Sequence, residues 1–263
     1  MLVATANLSG RSITLTELVP EPYLDLRCAK CPVRHHAICS ALDTTHTHEL
    51  ADIMTHRHFC AGDEILHQDE TSQLFAIIVK GVVKLTRMLP DGREQIVGLL
   101  TGSDILGDIE TSQNHDNAQC VTDVELCCFR RRQFETLLEK HPELAHFLLK
   151  KASANLDEAR DWMTVLGRLG ATEKVARFIL WQCNKEHPGC IHQASQQDRR
   201  VVHMPLKREE IAGFLGMTIE TVSRNMSKLK TDGIIELINS KDIRIMDIDR
   251  LRDLAVIYGG DRL

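Results

Sequence analysis

The hydrophobic pattern of the chain changes its period twice, and each change predicts a different kind of structure. Between residues 57 and 130, short apolar stretches alternate with turns at roughly 8–12 residues, a spacing typical of antiparallel sandwiches and barrels. Asp91-Gly92 separates Val82–Met88 from Gln95–Leu100 and predicts a hairpin, because glycine tolerates the positive φ that such a turn needs. Residues 51–142 are therefore predicted to form an antiparallel β-roll of the jelly-roll or cupin kind.

From Arg132 onward the apolar residues recur every three or four positions, which is the period of a helix. Residues 143–169 form the longest such stretch, and their apolar stripe is narrow. A narrow stripe favours pairing with an identical helix, so this segment is predicted to be a dimerisation helix. The alternative is that it packs only on its own β-roll. The residues assigned to the helix face or its margin are Leu148, Ala152, Leu156, Asp157, Glu158, Ala159, Asp161, Met163 and Leu166.

The two ends of the chain differ in pattern. Residues 1–50 are irregular and hold three prolines before residue 33. Residues 170–263 begin with a helix at 172–183 and a polar loop at 187–200, and they end with two helices and two short strands. The predicted fold class is α+β, with an N-terminal arm (1–50), a β-roll (51–142), a dimerisation helix (143–169) and a winged helix-turn-helix domain (170–263).

Residues 208–226 have the spacing of two helices that cross near a right angle. Ile211, Leu215 and Val222 supply the apolar contacts, and Gly216 supplies a left-handed turn residue. Thr218 stands where an N-cap belongs. The second helix then presents residues 220–224 in its first two turns, the part that enters the major groove of DNA. An ordinary pair of helices with a charged outer face is the alternative.

Composition and charge narrow the classes of partner. Hydrophobic residues are 43% and charged residues 26%, which is ordinary for a globular chain, and aromatics are 4%, so we expect aliphatic cores. The net charge of −5 argues against a polycation that coats nucleic acid. Residues 1–169 carry 17 Lys and Arg against 24 Asp and Glu, whereas residues 170–263 carry 15 against 13. This asymmetry favours the C-terminal part as the one that binds an anion.

Nine cysteines stand in a chain without an 18-residue apolar run and without a secretory signal at its N-terminus. We therefore expect a cytoplasmic protein that does not bind membranes, in which clustered cysteines indicate a metal or redox site. Cys28-x2-Cys31-x7-Cys39 supplies three thiolates, and a fourth would complete a tetrahedral zinc site or an iron–sulfur cluster. The spacing alone leaves the fourth ligand open among Cys60, Cys120, Cys127 and Cys128.

The remaining cysteines and the histidines are given simpler roles. Cys60, Cys127, Cys128, Cys183 and Cys190 are expected to be small buried or idle thiols. The histidines at 35, 36, 46, 48, 56 and 58 lack helical or cysteine-paired spacing, so we expect most of them to be solvated, with mixed Cys/His zinc binding as an alternative. No nucleophile–base motif, phosphate-cradling glycine loop or His-Glu-x-x-His motif is present, so we predict that the chain is not an enzyme.

Four motifs give the chain a resemblance to a known family. They are Phe59-x-Ala-Gly-Asp-x-Ile65, Val79-Lys-Gly-x-Val-Lys84, Ala171-Thr-Glu-Lys-Val-Ala-Arg-Phe178 and Leu215-Gly-Met-Thr-Ile-Glu-Thr-Val-Ser-Arg224. Nearly the whole chain resembles the CRP/FNR superfamily of bacterial transcription regulators, and specifically its oxygen-sensing FNR branch, whose β-roll is of the cyclic-nucleotide-binding kind.

The resemblance implies a role for particular residues. It makes Glu220, Ser223 and Arg224 the readers of DNA bases in a palindrome with TTGA-like half-sites. It also implies a 4Fe–4S cluster held by Cys28, Cys31, Cys39 and a central cysteine, for which it favours Cys120. The residues expected to contact the DNA backbone are Lys207, Arg208, Thr218, Thr221, Lys228 and Lys230.

One departure from the family pattern argues against cyclic nucleotides as ligands. Members that bind cyclic AMP carry an arginine in a phosphate-binding segment of the roll, whereas residues 107–118 contain no arginine. A cyclic phosphate would lack its bidentate partner there, so we expect no cyclic-nucleotide binding.

The leading hypothesis is an oxygen-responsive transcription regulator that acts as a homodimer on double-stranded DNA, with RNA polymerase as a further partner. Asp157, Glu158 and Asp161 are expected to repel their copies across the dimer seam and to leave the dimer near balance. The alternatives are a constitutive DNA-binding regulator with structural zinc and an iron–sulfur electron-transfer protein.

Overall fold

The computed structural model describes residues 6–8, 11–13, 28, 30–43, 45–109, 111, 113–186 and 201–255. The strands are β1 (Ala6–Leu8), β2 (Arg11–Ile13), β3 (Met54–Phe59), β4 (Glu64–Leu66), β5 (Leu74–Lys80), β6 (Val83–Met88), β7 (Glu94–Leu100), β8 (Ile105–Leu106), β9 (Asn117–Cys120), β10 (Val124–Arg130), β11 (Val201–His203), β12 (Ile235–Leu237) and β13 (Asp242–Ile245). The helices are α1 (Thr47–Ile53), α2 (Arg131–Lys140), α3 (Pro142–Arg168), α4 (Ala171–Glu186), α5 (Arg208–Leu215), α6 (Ile219–Thr231) and α7 (Ile248–Leu254), with a 3₁₀ helix at Ile38–Ala41. The predicted α+β class is confirmed.

The β-roll consists of two four-stranded antiparallel sheets, in the orders β3-β10-β5-β8 and β4-β9-β6-β7. The predicted hairpin joins β6 to β7, and Gly92 has a φ of 83° in its turn. Aliphatic side chains and two cysteines fill the space between the sheets. Because successive strand residues face opposite sides, Leu126 and Cys128 of β10 point into the roll, whereas Cys127 and Phe129 belong to a core on the outer face of the sheet.

The outer face of the first sheet is covered by α1, α2, the start of α3 and the 3₁₀ helix. Phe75, Phe129 and Phe134 meet there, with ring centroids 4.5–6.1 Å apart. Aromatic side chains thus fill part of the core where helices meet the roll, which corrects the expectation of purely aliphatic cores. Helix α1 was not predicted, and the boundary predicted after residue 50 falls inside it.

Helix α3 has 27 residues and matches the predicted dimerisation helix closely. Its first turns are packed on the roll, and Leu144 is fully buried. Farther along, the predicted stripe lies on the surface, where Leu156 is 52% and Met163 73% exposed. The stripe is therefore left without a partner from the described part of its own chain.

The C-terminal domain contains α4 to α7 and a three-stranded sheet in the order β11-β13-β12. The two predicted wing strands are present as β12 and β13, and β11 was not predicted. The predicted loop at 187–200 lies outside the described residues. Trp162 of α3 joins Phe178, Trp181 and Phe214 in a second aromatic group that ties α3 to this domain.

The C-terminal domain is docked on the roll by polar and apolar contacts. Lys84 of β6 pairs with Glu210 of α5 at 3.0 Å, and the Gln95 side chain donates to the Gly213 carbonyl at 2.8 Å. Ile96 and Leu99 of β7 are buried in the core of the C-terminal domain. These contacts fix where α5 and α6 stand relative to the roll.

Asp104 connects three parts of the molecule. Its carboxylate lies 2.8 Å from Lys151 of α3 and 3.8 Å from Lys185 of α4. Burial alone would raise the pKa of Asp104, but Lys185 and Lys151 outweigh it and hold the pKa below its usual range. The roll, the long helix and the C-terminal domain are therefore joined by one ionised carboxylate.

Candidate functional site

Helices α5 and α6 form the predicted helix-turn-helix. Helix α5 ends at Gly216, whose φ of 63° is the left-handed conformation that a glycine adopts without strain. Helix α6 begins after Thr218, whose hydroxyl accepts a hydrogen bond from the Thr221 N–H at 3.3 Å. The predicted contacts between the helices are present, since Ile211, Leu215 and Val222 are completely buried.

The predicted base-reading side chains share one exposed surface. Glu220, Ser223 and Arg224 all lie in the first two turns of α6 and are all exposed. Hydrogen bonds from its own backbone N–H and from Thr218 hold the pKa of Glu220 below its usual range, and Arg224 lowers it further. An ionised Glu220 can accept from cytosine, and Arg224 can donate to guanine.

The six residues predicted to contact the DNA backbone are not equivalent. Lys207, Thr218, Lys228 and Lys230 are exposed, and Thr221 is half-buried. Arg208 is also half-buried, its Nη1 is covered and has no hydrogen-bond partner in the described part of the chain, and burial lowers the pKa of its guanidinium. In this arrangement Arg208 is packed into its domain and does not stand at the surface as the four exposed residues do.

Four cysteines line one pocket between the N-terminal arm and the roll. Cys28, Cys31 and Cys39 come from the arm, as predicted, and the fourth is Cys127 of β10. The sulfur of Met54 lies 3.8 Å from the Cys28 sulfur and 3.1 Å from the Cys127 sulfur. The rest of the wall is mainly apolar and includes Val33, Leu50, Ile77, Val79 and Phe129.

The structure does not bring Cys120 to this pocket, which corrects the choice of Cys120 as the fourth thiol. Cys120 ends β9 in the other sheet, is 2% exposed and packs inside the roll. Its charged surroundings are Asp63, Cys60 and Asp123, and burial followed by these groups raises the pKa of its thiol to about 11. Cys127 is buried, as expected, but it lies in the wall of the pocket, because a one-residue step along β10 decides which face a side chain occupies.

The other cysteines lie elsewhere. Cys128 points into the roll, beside Leu126 and Val83. Cys60 is exposed, and Cys183 takes part in a disulfide bond, so it is not the idle thiol that was expected. Cys190 lies outside the described residues.

Two of the pocket thiols, Cys39 and Cys127, hold their protons strongly. Burial raises the pKa of Cys39 to about 11, and the neighbouring Cys28 and Cys31 contribute to the rise. Burial also raises the pKa of Cys127, followed by the effect of Cys39 and Cys28. Thiolates gathered in an apolar site need positive charge to become stable, and a metal centre supplies it when it displaces the protons. No set of three or more His, Cys, Asp or Glu in the described ranges is arranged to hold a single metal ion.

The pocket is connected to the start of the long helix. Ile38, in the 3₁₀ helix that contains Cys39, packs with Leu144 of α3 in the core outside the sheet. Glu49 of α1 also binds Lys140 at 2.7 Å and His141 at 3.2 Å, directly before α3 begins. The arm therefore contacts the helix that carries the exposed stripe.

The acidic residues of α3 do not share one environment. Glu158 accepts a hydrogen bond from the Trp181 indole N–H, and Asp161 lies 3.8 Å from Arg177. Both partners belong to α4 of the same chain. Within the described ranges, Asp157 pairs inside its own helix, with Arg160 at 3.3 Å. Glu158 and Asp161 therefore have partners on α4, Asp157 has one on its own helix, and the expected repulsion across a dimer seam stays a prediction.

Sequence reasoning missed Met54 and placed His56 among the histidines expected to be mostly solvated, although both line the pocket. Both are on β3, which pairs with β10 so that His56 lies opposite Cys127. The available signal was weak, because residues 54–59 are apolar only at Met54 and Phe59 and have the composition of a surface strand.

Comparisons with known proteins match both halves of the chain. A family described as a Crp-like helix-turn-helix domain matches residues 173–254, and a family described as a cyclic nucleotide-binding domain matches residues 56–141. The fold and the exposed α6 surface define a DNA-binding regulator with a β-roll. None of the described helices is both long and apolar enough to cross a bilayer.

Relatives that align with most of the chain define the class of regulator more narrowly. It is 35% identical over 229 residues to the transcriptional activator protein FnrL of Cereibacter sphaeroides, covering 87% of this chain and 92% of that protein. It is also 35% identical to the nitrogen fixation regulation protein FixK of Bradyrhizobium diazoefficiens, covering 87% and 93%. The structure of FixK2 from Bradyrhizobium japonicum has a TM-score of 0.69 and 27% identity, covering 79% of this chain and all of that one. This chain belongs to the CRP/FNR family of transcription regulators, and it is a regulator of the FNR/FixK type and not an enzyme.

Proposed function

We propose that the protein is an oxygen-responsive transcription activator in which a 4Fe–4S cluster controls dimerisation and DNA binding. The proposed ligands are Cys28, Cys31, Cys39 and Cys127. The proposed partners are a second copy of the chain, palindromic DNA with TTGA-like half-sites, and RNA polymerase. The names of the relatives, which include transcriptional activators, support activation as the usual outcome.

The observation that carries the proposal is the meeting of four cysteines from two distant segments in one apolar pocket. Four cysteine thiolates are the usual ligands of a 4Fe–4S cluster. The donor set fits such a group, because Cys28 and Cys31 are close enough to Cys39 to raise its pKa, and Cys39 and Cys28 are close enough to Cys127 to raise its pKa. A cluster bound here would supply an oxygen-labile link between the arm and the roll.

The chain's own residues supply the rest of the switch. When the arm is held, Ile38 and Leu42 stay packed beside Leu144 and Phe147 of α3. This packing steadies the first turns of α3, whose exposed stripe continues through Leu156 and Met163. Releasing the arm would remove this packing and weaken the pairing of α3 with the α3 helix of a second copy of the chain. A free-energy gap of a few kcal/mol is enough for such a switch.

Dimerisation in turn governs DNA binding. A palindrome requires two recognition helices about 34 Å apart, one turn of B-DNA. A single α6 has only the contacts of one half-site, so a monomer binds weakly. The absence of arginine from residues 107–118 supports the further expectation that cyclic nucleotides have no part in this control.

The test uses the full-length chain purified without oxygen. We expect about four iron and about four sulfide per chain, a dimer in sedimentation, and binding to a TTGA palindrome. Admitting air is expected to bleach the visible spectrum and to reduce both the dimer fraction and DNA affinity. A palindrome with scrambled half-sites is the matched control.

Zinc in place of iron, with DNA binding that is indifferent to air, would contradict the proposal and support the alternative of a constitutive regulator. Iron that is retained in air, with an unchanged dimer fraction, would leave a cluster protein without a switch.

A further inference from the structure

His56 stands in the wall of the cysteine pocket. It lies on β3, where the strand register sets it directly opposite Cys127 of β10. Its Nε2 atom is covered from solvent and has no hydrogen-bond partner among the described residues. Buried polar atoms are almost always hydrogen-bonded, so an unpaired ring nitrogen that lines a pocket calls for an explanation.

The rest of the wall gives this nitrogen little to bind. The pocket is lined mainly by aliphatic and aromatic carbon and by sulfur, and the other nitrogen-bearing side chain among the described lining residues is Arg34. Cys127 donates its own weak hydrogen bond to Met54. Thr47 also lines the pocket, and its hydroxyl donates to the Asp43 carbonyl. What the pocket presents near His56 is therefore mainly sulfur, which becomes a good acceptor only when it carries negative charge.

We propose that His56 is a positioning residue for the iron–sulfur group, donating a hydrogen bond from its Nε2–H to a sulfur of the cluster or of a ligating thiolate. The proposal rests on the cluster of the proposed function. Hydrogen bonds to the sulfurs stabilise the more negative, reduced state and are one of the means by which a protein sets the reduction potential. In this role His56 tunes how readily the cluster is oxidised and is not itself a ligand.

The same strand offers a matched control. His58 is two residues farther along β3, so its side chain leaves the strand on the same side. Unlike His56 it is exposed, and it does not line the pocket. Replacing His58 likewise removes one imidazole from the strand, but it leaves the pocket nitrogen in place.

The experiment compares four anaerobically purified full-length proteins: wild type, His56→Ala, His56→Gln and His58→Ala. Iron and sulfide per chain, the midpoint potential by spectroelectrochemical titration, and the rate of bleaching in air are measured on each. We expect all four to hold the same iron. His56→Ala should have a more negative potential and bleach about tenfold faster. His56→Gln, which retains an N–H donor, should recover most of both, and His58→Ala should match wild type.

The experiment distinguishes failure of the proposed function from failure of the His56 proposal. Wild type without iron removes the proposed function and the role of His56 with it. A wild-type cluster whose potential and bleaching rate are unchanged in His56→Ala overturns the His56 proposal and leaves the cluster standing. Loss of iron in both His56 variants, with full iron in His58→Ala, would make His56 a ligand and also overturn it. An effect of His58→Ala as large as that of His56→Ala would show a general change of the strand.

Discussion

The helix-turn-helix and the cysteine pocket are the two regions that give this protein its chemistry, and they are assembled in opposite ways. Residues 208–231 build the first from consecutive sequence, with a glycine turn, an N-cap and three apolar contacts all in one segment. The pocket joins an arm at residues 28–39 to a strand near residue 127. A site built from one continuous segment is present whenever that segment is folded. A site built from two distant segments is present only while the two are held together, so separating the segments can switch it.

The largest effect is expected from a substitution in the core of the helix-turn-helix. Ile211 is completely buried between α5 and α6, so Ile211→Ala is expected to reduce the free energy of unfolding by about 2–5 kcal/mol. Ile219→Ala is the control, because Ile219 is 42% exposed and its truncation should cost much less. Urea unfolding of both variants measures the difference. Equal costs would contradict the helix packing described for this domain.

Measurements of DNA binding distinguish the residues expected to read bases from those expected to contact the DNA backbone. Arg224→Ala is expected to lower affinity for a TTGA palindrome by about 10–100-fold and to relax base preference, since a bidentate contact to guanine contributes about 1–3 kcal/mol. Lys228→Ala should instead weaken all sequences alike and reduce the salt dependence by about one counterion. Fluorescence anisotropy at several salt concentrations distinguishes them. Identical loss on specific and scrambled DNA for Arg224→Ala would remove it from the base readers.

The junction between the regions has a predicted pH dependence. The lysines beside Asp104 lower its pKa in the folded chain, so its contribution is present above the unfolded pKa of about 4 and is lost as the pH falls through the lower folded value. Asp104→Asn should cost about 1–2 kcal/mol near pH 7, less than a fully buried pair because Lys151 and Lys185 are 24% and 25% exposed. Unfolding measured between pH 7 and pH 3 should show the variant losing less stability on acidification. Parallel curves for the two proteins would refute this role.

The smallest expected effect is at the cap of the recognition helix. Thr218→Ala removes the acceptor for the Thr221 N–H and should destabilise the domain by about 1 kcal/mol, whereas Thr218→Ser keeps it. Thermal unfolding of the pair is the measurement. A serine variant as unstable as the alanine variant would show that the threonine methyl group, and not the cap, is what matters.

The features that could be predicted from the sequence are mainly those that depend on one continuous segment of the chain. The Thr218 cap, the Gly216 turn and the exposure of Glu220 and Arg224 were all predicted, because each depends on neighbours within a few residues. The long helix was also predicted closely, since 27 residues of one period leave little choice. Strand β11 was missed, because three residues carry too little pattern to distinguish them from a loop.

The fourth cysteine could not be derived in this way. Cys127 and Cys128 are adjacent, both are buried, and only the pleat of β10 sends one to the arm and the other into the roll. Choosing Cys127 over Cys120 requires knowing which sheet faces the arm, and that is a property of the assembled roll. Likewise the partners of Glu158 and Asp161 lie on α4, and nothing in the spacing of α3 alone separates them from Asp157.

The most direct test of the account is iron per chain in three single variants, Cys127→Ser, Cys128→Ser and Cys120→Ser, each purified without oxygen beside wild type. The account predicts about four iron in wild type, in Cys128→Ser and in Cys120→Ser, and loss of the cluster in Cys127→Ser alone. Full iron in Cys127→Ser, with loss in Cys120→Ser, would contradict the pocket as the site of the cluster.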